Sequence, residues 1–87
     1  MQREGYNIRV STHKNKKYDV LDAEGRIITR FGARDMEHYF DKLGAFSHLD
    51  HKDEKRLEAF KRRFSKLIDK YQNDKTSAMY WSSKYLW

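Results

Sequence analysis

Apolar residues recur along residues 50–71 at steps of three, four and one: Leu57, Phe60, Phe64, Leu67, Ile68 and Tyr71. At about 100° per residue this spacing gathers them on one face of an α-helix. The opposite side carries Lys52, Lys55, Arg56, Arg62, Arg63, Lys66 and Lys70, and Glu54, Glu58 and Asp69 share a flank. The pattern predicts one long helix over 50–71, with a dry seam toward a core and a basic stripe toward solvent. Asp50 stands where an N-cap belongs, three residues before Asp53, so the two acids suit the first backbone donors and the positive end of the dipole.

Before that stretch the period is two. Tyr6, Ile8 and Val10 alternate with Asn7 and Arg9, and Tyr18 and Val20 alternate with Lys17, Asp19 and Leu21. Residues 26–31, Arg-Ile-Ile-Thr-Arg-Phe, are rich in β-branched side chains and end at Gly32. Polar residues 11–16 read as a hairpin tip and Asp22–Gly25 as a turn. Residues 1–5 carry neither period and are expected to form a flexible N-terminal arm.

Helical spacing returns in Met36, Tyr39, Phe40 and Leu43, which predicts a short helix over 33–43 with Gly44 as its C-cap. A last helix is expected over 78–86, capped by Thr76 or Ser77 and bearing Met79, Tyr80, Trp81, Tyr85 and Leu86 before Trp87. The expected fold is therefore α+β, one domain over residues 6–87. A three-stranded antiparallel β-meander (6–32) packs against a helical part (33–87): a short helix, one long basic amphipathic helix and a C-terminal aromatic helix.

Composition narrows the chemistry. Eighty-seven residues make one small domain. The chain has no cysteine, which excludes disulfides, a thiolate nucleophile and a Cys-ligated zinc. No apolar run approaches the ~18 residues of a membrane span, and the first ten residues lack the apolar stretch of a signal peptide. The formal net charge is +6, and residues 51–87 supply most of it, with ten Lys/Arg against five Asp/Glu. Such a balance favours anionic partners: nucleic acid, anionic lipid or an acidic protein surface.

His48, Asp50, His51 and Asp53 are metal-type ligands close in sequence, but at a helix start their side chains diverge, so no metal is expected. No serine sits in a nucleophile elbow, the four glycines are scattered, and Asp53 and Glu54 point apart on a helix. No enzyme, no cofactor and no small-molecule substrate are expected. The candidate nucleic-acid contacts are the hairpin-tip Lys14, Lys16 and Lys17 and the helix-face Lys52, Lys55, Arg56, Arg62, Arg63, Lys66 and Lys70. They would hold phosphates without reading bases. Among the C-terminal aromatics, Trp81 and Tyr85 read as core, whereas Met79 and Tyr80 lie on other faces and are candidate partner-binding residues. The seam continues to Ile68 and Tyr71, which leaves room for a homodimer along the long helix.

Four segments, Lys-Lys-Tyr-Asp-Val (16–20), Phe-Gly (31–32), His-Lys-Asp-Glu-Lys-Arg (51–56) and Ser-Ala-Met-Tyr-Trp-Ser-Ser-Lys-Tyr-Leu-Trp (77–87), carry a resemblance. In that order the chain resembles a family of short basic uncharacterised proteins encoded by large double-stranded DNA viruses of protists and algae. In the family pattern an Arg-His pair and a Trp often lie between the last two segments. Arg62, Arg63 and Phe64 stand there instead, so no role of that His carries over. The resemblance implies a viral origin and a virion or host-cell interior setting (cytoplasm or viral factory). It brings no activity and no catalytic residues. The expected function is a non-catalytic, virion-associated basic protein that contacts nucleic acid through the helix face. The alternative is a minor structural or interaction protein that binds other virion or host proteins through its aromatic C-terminal segment.

Overall fold

The computed structural model describes residues 1–87. Four antiparallel strands, β1 (Gln2–Arg3), β2 (Tyr6–Val10), β3 (Lys16–Leu21) and β4 (Ile27–Ala33), lie side by side in chain order. Three α-helices follow after a long irregular stretch: α1 (Glu54–Arg63), α2 (Ser65–Lys70) and α3 (Ala78–Tyr85). The α+β class holds, with one strand more than the three expected.

The additional strand comes from the segment read as an arm. Glu4 and Gly5 both take positive φ, 55° and 86°, as a two-residue hairpin turn requires. That turn folds Gln2 and Arg3 back on Asn7 and Tyr6, and the amino terminus itself donates to the Ile8 carbonyl at 2.7 Å.

Register follows the period-two pattern. Val10, Tyr18 and Phe31 align across three strands, as do Ile8, Val20 and Thr29. One face thereby gathers Ile8, Tyr18, Val20 and Phe31, all fully buried. The cover is α3. Trp81 stacks on Phe31 at 6.3 Å and meets Tyr6 edge-on at 5.8 Å, and Tyr85 stacks on Trp81 at 5.7 Å. Ser77 caps α3 by accepting from the Met79 amide at 3.2 Å, and Trp81 donates its indole N–H to the Lys75 carbonyl at 2.7 Å. Gly32 allows the close approach of sheet and helix: a Cβ there would lie 2.9 Å from Leu86 Cδ1. Its φ of +79° also belongs to the left-handed region.

The helix expected over 33–43 does not form. Its backbone is committed elsewhere: Lys17 Nζ takes the Ala33 and Met36 carbonyls, both at 2.6 Å. His38 exchanges bonds with Leu49 and His51, and the Phe40 and Lys42 amides donate to Leu86 and Tyr85. Burial is inverted from the helical reading, since Met36 and Phe40 are 65% and 41% exposed whereas His38 and Asp41 are 1% and 3% exposed.

The long helix is two helices. Phe64, at φ −106° and ψ 14°, interrupts it between Arg63 and Ser65. Asp53 is its N-cap, accepting from the Lys55 and Arg56 amides, and not Asp50. Neither α1 nor α2 has a buried residue, and no strand packs against either. The meander is covered by α3, while the predicted seam stays at the edge of the core.

Candidate nucleic-acid interface

Pairing of charges decides which cations are free. On α1 and α2, Lys55, Arg56, Lys61, Arg62, Arg63, Lys66 and Lys70 are all exposed. Of these only Arg56 meets an acid, Glu37, at 3.0 Å. Arg63 lies over the Phe64 ring at 5.2 Å and Lys70 over Tyr71 at 5.2 Å, which orients the charge without neutralising it. Lys52 precedes α1, exposed, with its ammonium over Phe40 at 5.6 Å.

The hairpin tip divides. Lys14 and Lys16 are exposed and without an acidic neighbour. Lys17 is not available as a phosphate contact, because its ammonium is spent on two carbonyls and the residue is 1% exposed. Burial lowers its pKa, and the Asp41 and Asp35 charges partly restore it. The alternation that made Lys17 look like an outward residue fails because the 33–36 loop folds over it.

Beside the basic helices runs a cleft of about 610 Å³ between α1, α3 and the end of β4. Ten of its eighteen lining residues are hydrophobic, Phe31, Met36, Phe60, Phe64, Met79 and Trp87 among them, and Lys16, Glu37, Arg56 and Arg63 border it. Phe60 and Trp87 lie flat on each other, 4.3 Å apart with an interplanar angle of 1°. Trp87, itself packed against the core, thus ties α1 to the body together with the Arg56–Glu37 pair.

The candidate partner-binding pair separates as well. Met79 lines the cleft. Tyr80 is half-buried, edge-on to Trp81 at 5.2 Å, and donates its hydroxyl to Glu4. Glu4 also accepts from Tyr85 at 2.7 Å and pairs with Lys84 at 3.0 Å. Burial works against the charge, but the hydrogen bonds from Tyr80, Tyr85 and Lys84 outweigh it and hold the carboxyl at about 2. Burial first, and then the Glu4 carboxylate, push the Tyr85 phenol up to about 12, against the nearby Lys84 charge.

Three buried polar groups had no sequence signal as sites. Asp19 sits between Arg9 and Arg30 at 3.2 and 3.0 Å and takes the Ser11 hydroxyl at 2.5 Å. Asp41 accepts from the Tyr18 hydroxyl at 2.5 Å and from the Leu43 and Phe46 amides. His38 meets Asp50 at 2.5 Å, and burial holds the imidazole below its ordinary value against the pull of that carboxylate. Asp50 thus leaves the sequence cluster of His48, His51 and Asp53 for a residue twelve positions away. No group of three or more His, Asp or Glu is placed to hold a metal ion. No protein-family model, no curated protein and no solved structure matches the chain. No helix is long and apolar enough to cross a membrane.

Proposed function

We propose that this is a non-catalytic, basic, virion-associated protein that contacts nucleic acid without sequence preference through the outer face of α1 and α2. The observation that carries the reading is the set of exposed cations left without acids: Lys55, Arg62, Arg63, Lys66 and Lys70, with Lys14, Lys16 and Lys52 beside them. Five acids elsewhere in the fold, Glu4, Asp19, Asp22, Glu24 and Glu37, each pair with a lysine or arginine. An exposed helix face with seven Lys/Arg against three acids over residues 54–70 raises the local concentration of polyanions and releases their counterions on contact. The virion setting is supported by the resemblance of the four segments alone. A role for Tyr80 in capturing a protein partner has less support, because its ring and hydroxyl are both engaged within the chain.

Binding of random-sequence duplex DNA, followed by anisotropy across a salt series, tests the proposal. The logarithm of affinity should fall linearly with the logarithm of salt, with a slope near −0.9 per neutralised phosphate. Arg62→Gln, Lys66→Gln and Lys70→Gln together should flatten that slope by roughly two to three units without lowering the melting temperature. No binding at low salt would sink the proposal.

A further inference from the structure

We propose that the cleft between α1 and α3 binds one single-chain amphiphile with an anionic head, its chain along the apolar lining and its head between Arg63 and Lys16. The proposal shares Arg63 and Lys16 with the nucleic-acid reading but does not rest on it, and it gives the cleft a ligand rather than a substrate. The space, about 610 Å³, falls within the roughly 300–1,000 Å³ typical of small-molecule pockets.

The state of the aromatic rings decides what kind of apolar group fits. Phe31 is already stacked by Tyr18 at 5.3 Å and by Trp81 at 6.3 Å, and Phe60 gives a face to Trp87 at 4.3 Å. Phe64 packs on Phe60 at 4.9 Å with Arg63 over its ring at 5.2 Å, and Trp87 also meets His51 at 5.3 Å. Few ring faces are therefore left to sandwich a base or an aromatic ligand. The remaining surface is aliphatic: Ala33, Met36, Ala59, Ala78, Met79 and Leu86 line the same space. An alkyl chain needs only non-directional burial, which such a wall supplies, and the methionines adapt to its shape.

Charge selects the head. Arg63 and Lys16 line the cleft, are exposed and meet no acid. The other two cations there are occupied, Arg56 by Glu37 and Lys17 by the Ala33 and Met36 carbonyls. A carboxylate or phosphate head therefore finds two unpaired donors, and a cationic head finds net repulsion. The occupant would also cover the inner side of α1, which no strand of this chain covers.

Sodium palmitate below its aggregation concentration, cetyl alcohol and cetyltrimethylammonium provide the probes, with equilibrium dialysis and tryptophan emission as readouts on the full chain. Palmitate should bind saturably at one per chain and shift an emission component that Trp87→Phe removes. The alcohol should bind about tenfold or more weaker, as loss of charge-assisted hydrogen bonds dictates, and the ammonium weaker still. Ala59→Glu changes an exposed helical residue on the wall, so it should keep the circular dichroism of the parent and lose palmitate. Lys16→Gln with Arg63→Gln should bring palmitate down to the affinity of the alcohol. Equal affinity for all three heads, full binding by Ala59→Glu, or attachment only to phosphatidylglycerol vesicles overturns the proposal. A concentration-dependent dimer that excludes palmitate overturns it too, because a second copy would then be the occupant. Duplex DNA binding persisting alongside any of these results leaves the nucleic-acid reading standing.

Discussion

Glu4 occupies a position that a side chain seldom tolerates, at φ 55°, and the compensation is the set of bonds it makes to α3. Two tyrosine hydroxyls and Lys84 converge on it, with Lys75 at 3.6 Å. A carboxyl held at about 2 against an ordinary 4.5 makes the folded chain bind fewer protons than the unfolded one between those values. Its stabilisation is therefore complete above about pH 4.5 and lost as pH falls toward 2. Glu4→Gln should lower stability by about 1–3 kcal/mol at neutral pH and flatten the acid limb of a plot of melting temperature against pH. His38 acts in the same direction in a higher window. Its folded value lies below 6.5, so the folded chain resists a proton that the unfolded chain accepts, and stability should decline as pH falls through 6.5. Asp50 and Asp41 on the packed loops oppose this shift while Lys17 adds to it. His51 is lowered as well, by burial first and then by Arg56. Thermal melts between pH 7.5 and 5.5 check it, and His38→Gln should reduce the slope. Gly32→Ala should cost about 2–3 kcal/mol, since it adds a methyl group against Leu86 at a left-handed backbone; urea unfolding measures it. None of these roles has a local sequence signature, apart from the Glu4-Gly5 pair. There a glycine with one neighbour able to turn was enough to make a hairpin out of a segment with no period of its own.

Elements were legible where burial and period coincide. β2, β3 and β4 lie within a residue or two of their expected bounds, and α3 begins at the predicted cap, because in each case one face is pressed against the core. The 33–43 stretch had helical spacing and no helix, since Lys17 Nζ and the carbonyls of Leu86 and Tyr85 claim the groups that i to i−4 bonding needs. No local pattern reports a competitor twenty or forty residues away. The basic helix was found, but its break at Phe64 was not. Phe64 keeps the spacing of the apolar seam, and spacing is blind to the backbone angles of one residue. With no buried residue of its own, α1 relies on its cap, the Arg56–Glu37 pair and the Phe60–Trp87 stack. Hydrogen exchange should show the α1 and α2 amides opening well before those of β3. Trp87→Ala should speed exchange in α1 further while leaving β3 protected; equal loss in both would show that α1 unfolds only with the whole domain.

At the scale of the molecule the sheet is enclosed by the two ends of the chain. Residues 1–8 extend it on one edge, and residues 78–86 cover its apolar face. The α+β class was readable because the meander needed a cover and Trp81 and Tyr85 were suited to provide it. Which helix provides it was harder to read. The 50–71 seam is longer than the aromatic run, yet three fully buried side chains, Trp81, Phe31 and Tyr18, stack face on face and exclude it. Deleting residues 1–5 should lower the melting temperature by several degrees, because α3 loses the acceptor for Tyr80, Tyr85 and Lys84 and β2 loses its edge partner. An unchanged melting temperature would return the segment to the status of an arm.

The Glu4 to Tyr85 bond spans 81 positions, and this has a bearing on how the protein is made. The hairpins of the sheet can form as soon as residues 1–33 have emerged, but until residues 78–86 follow, their apolar face is covered only by the loop that carries Phe46. A nascent or clipped chain ending near Asn73 would present Phe31 and Tyr6, which Trp81 otherwise covers, to its neighbours. Loss of residues 78–86 should therefore turn the domain into an aggregating species rather than a weaker binder.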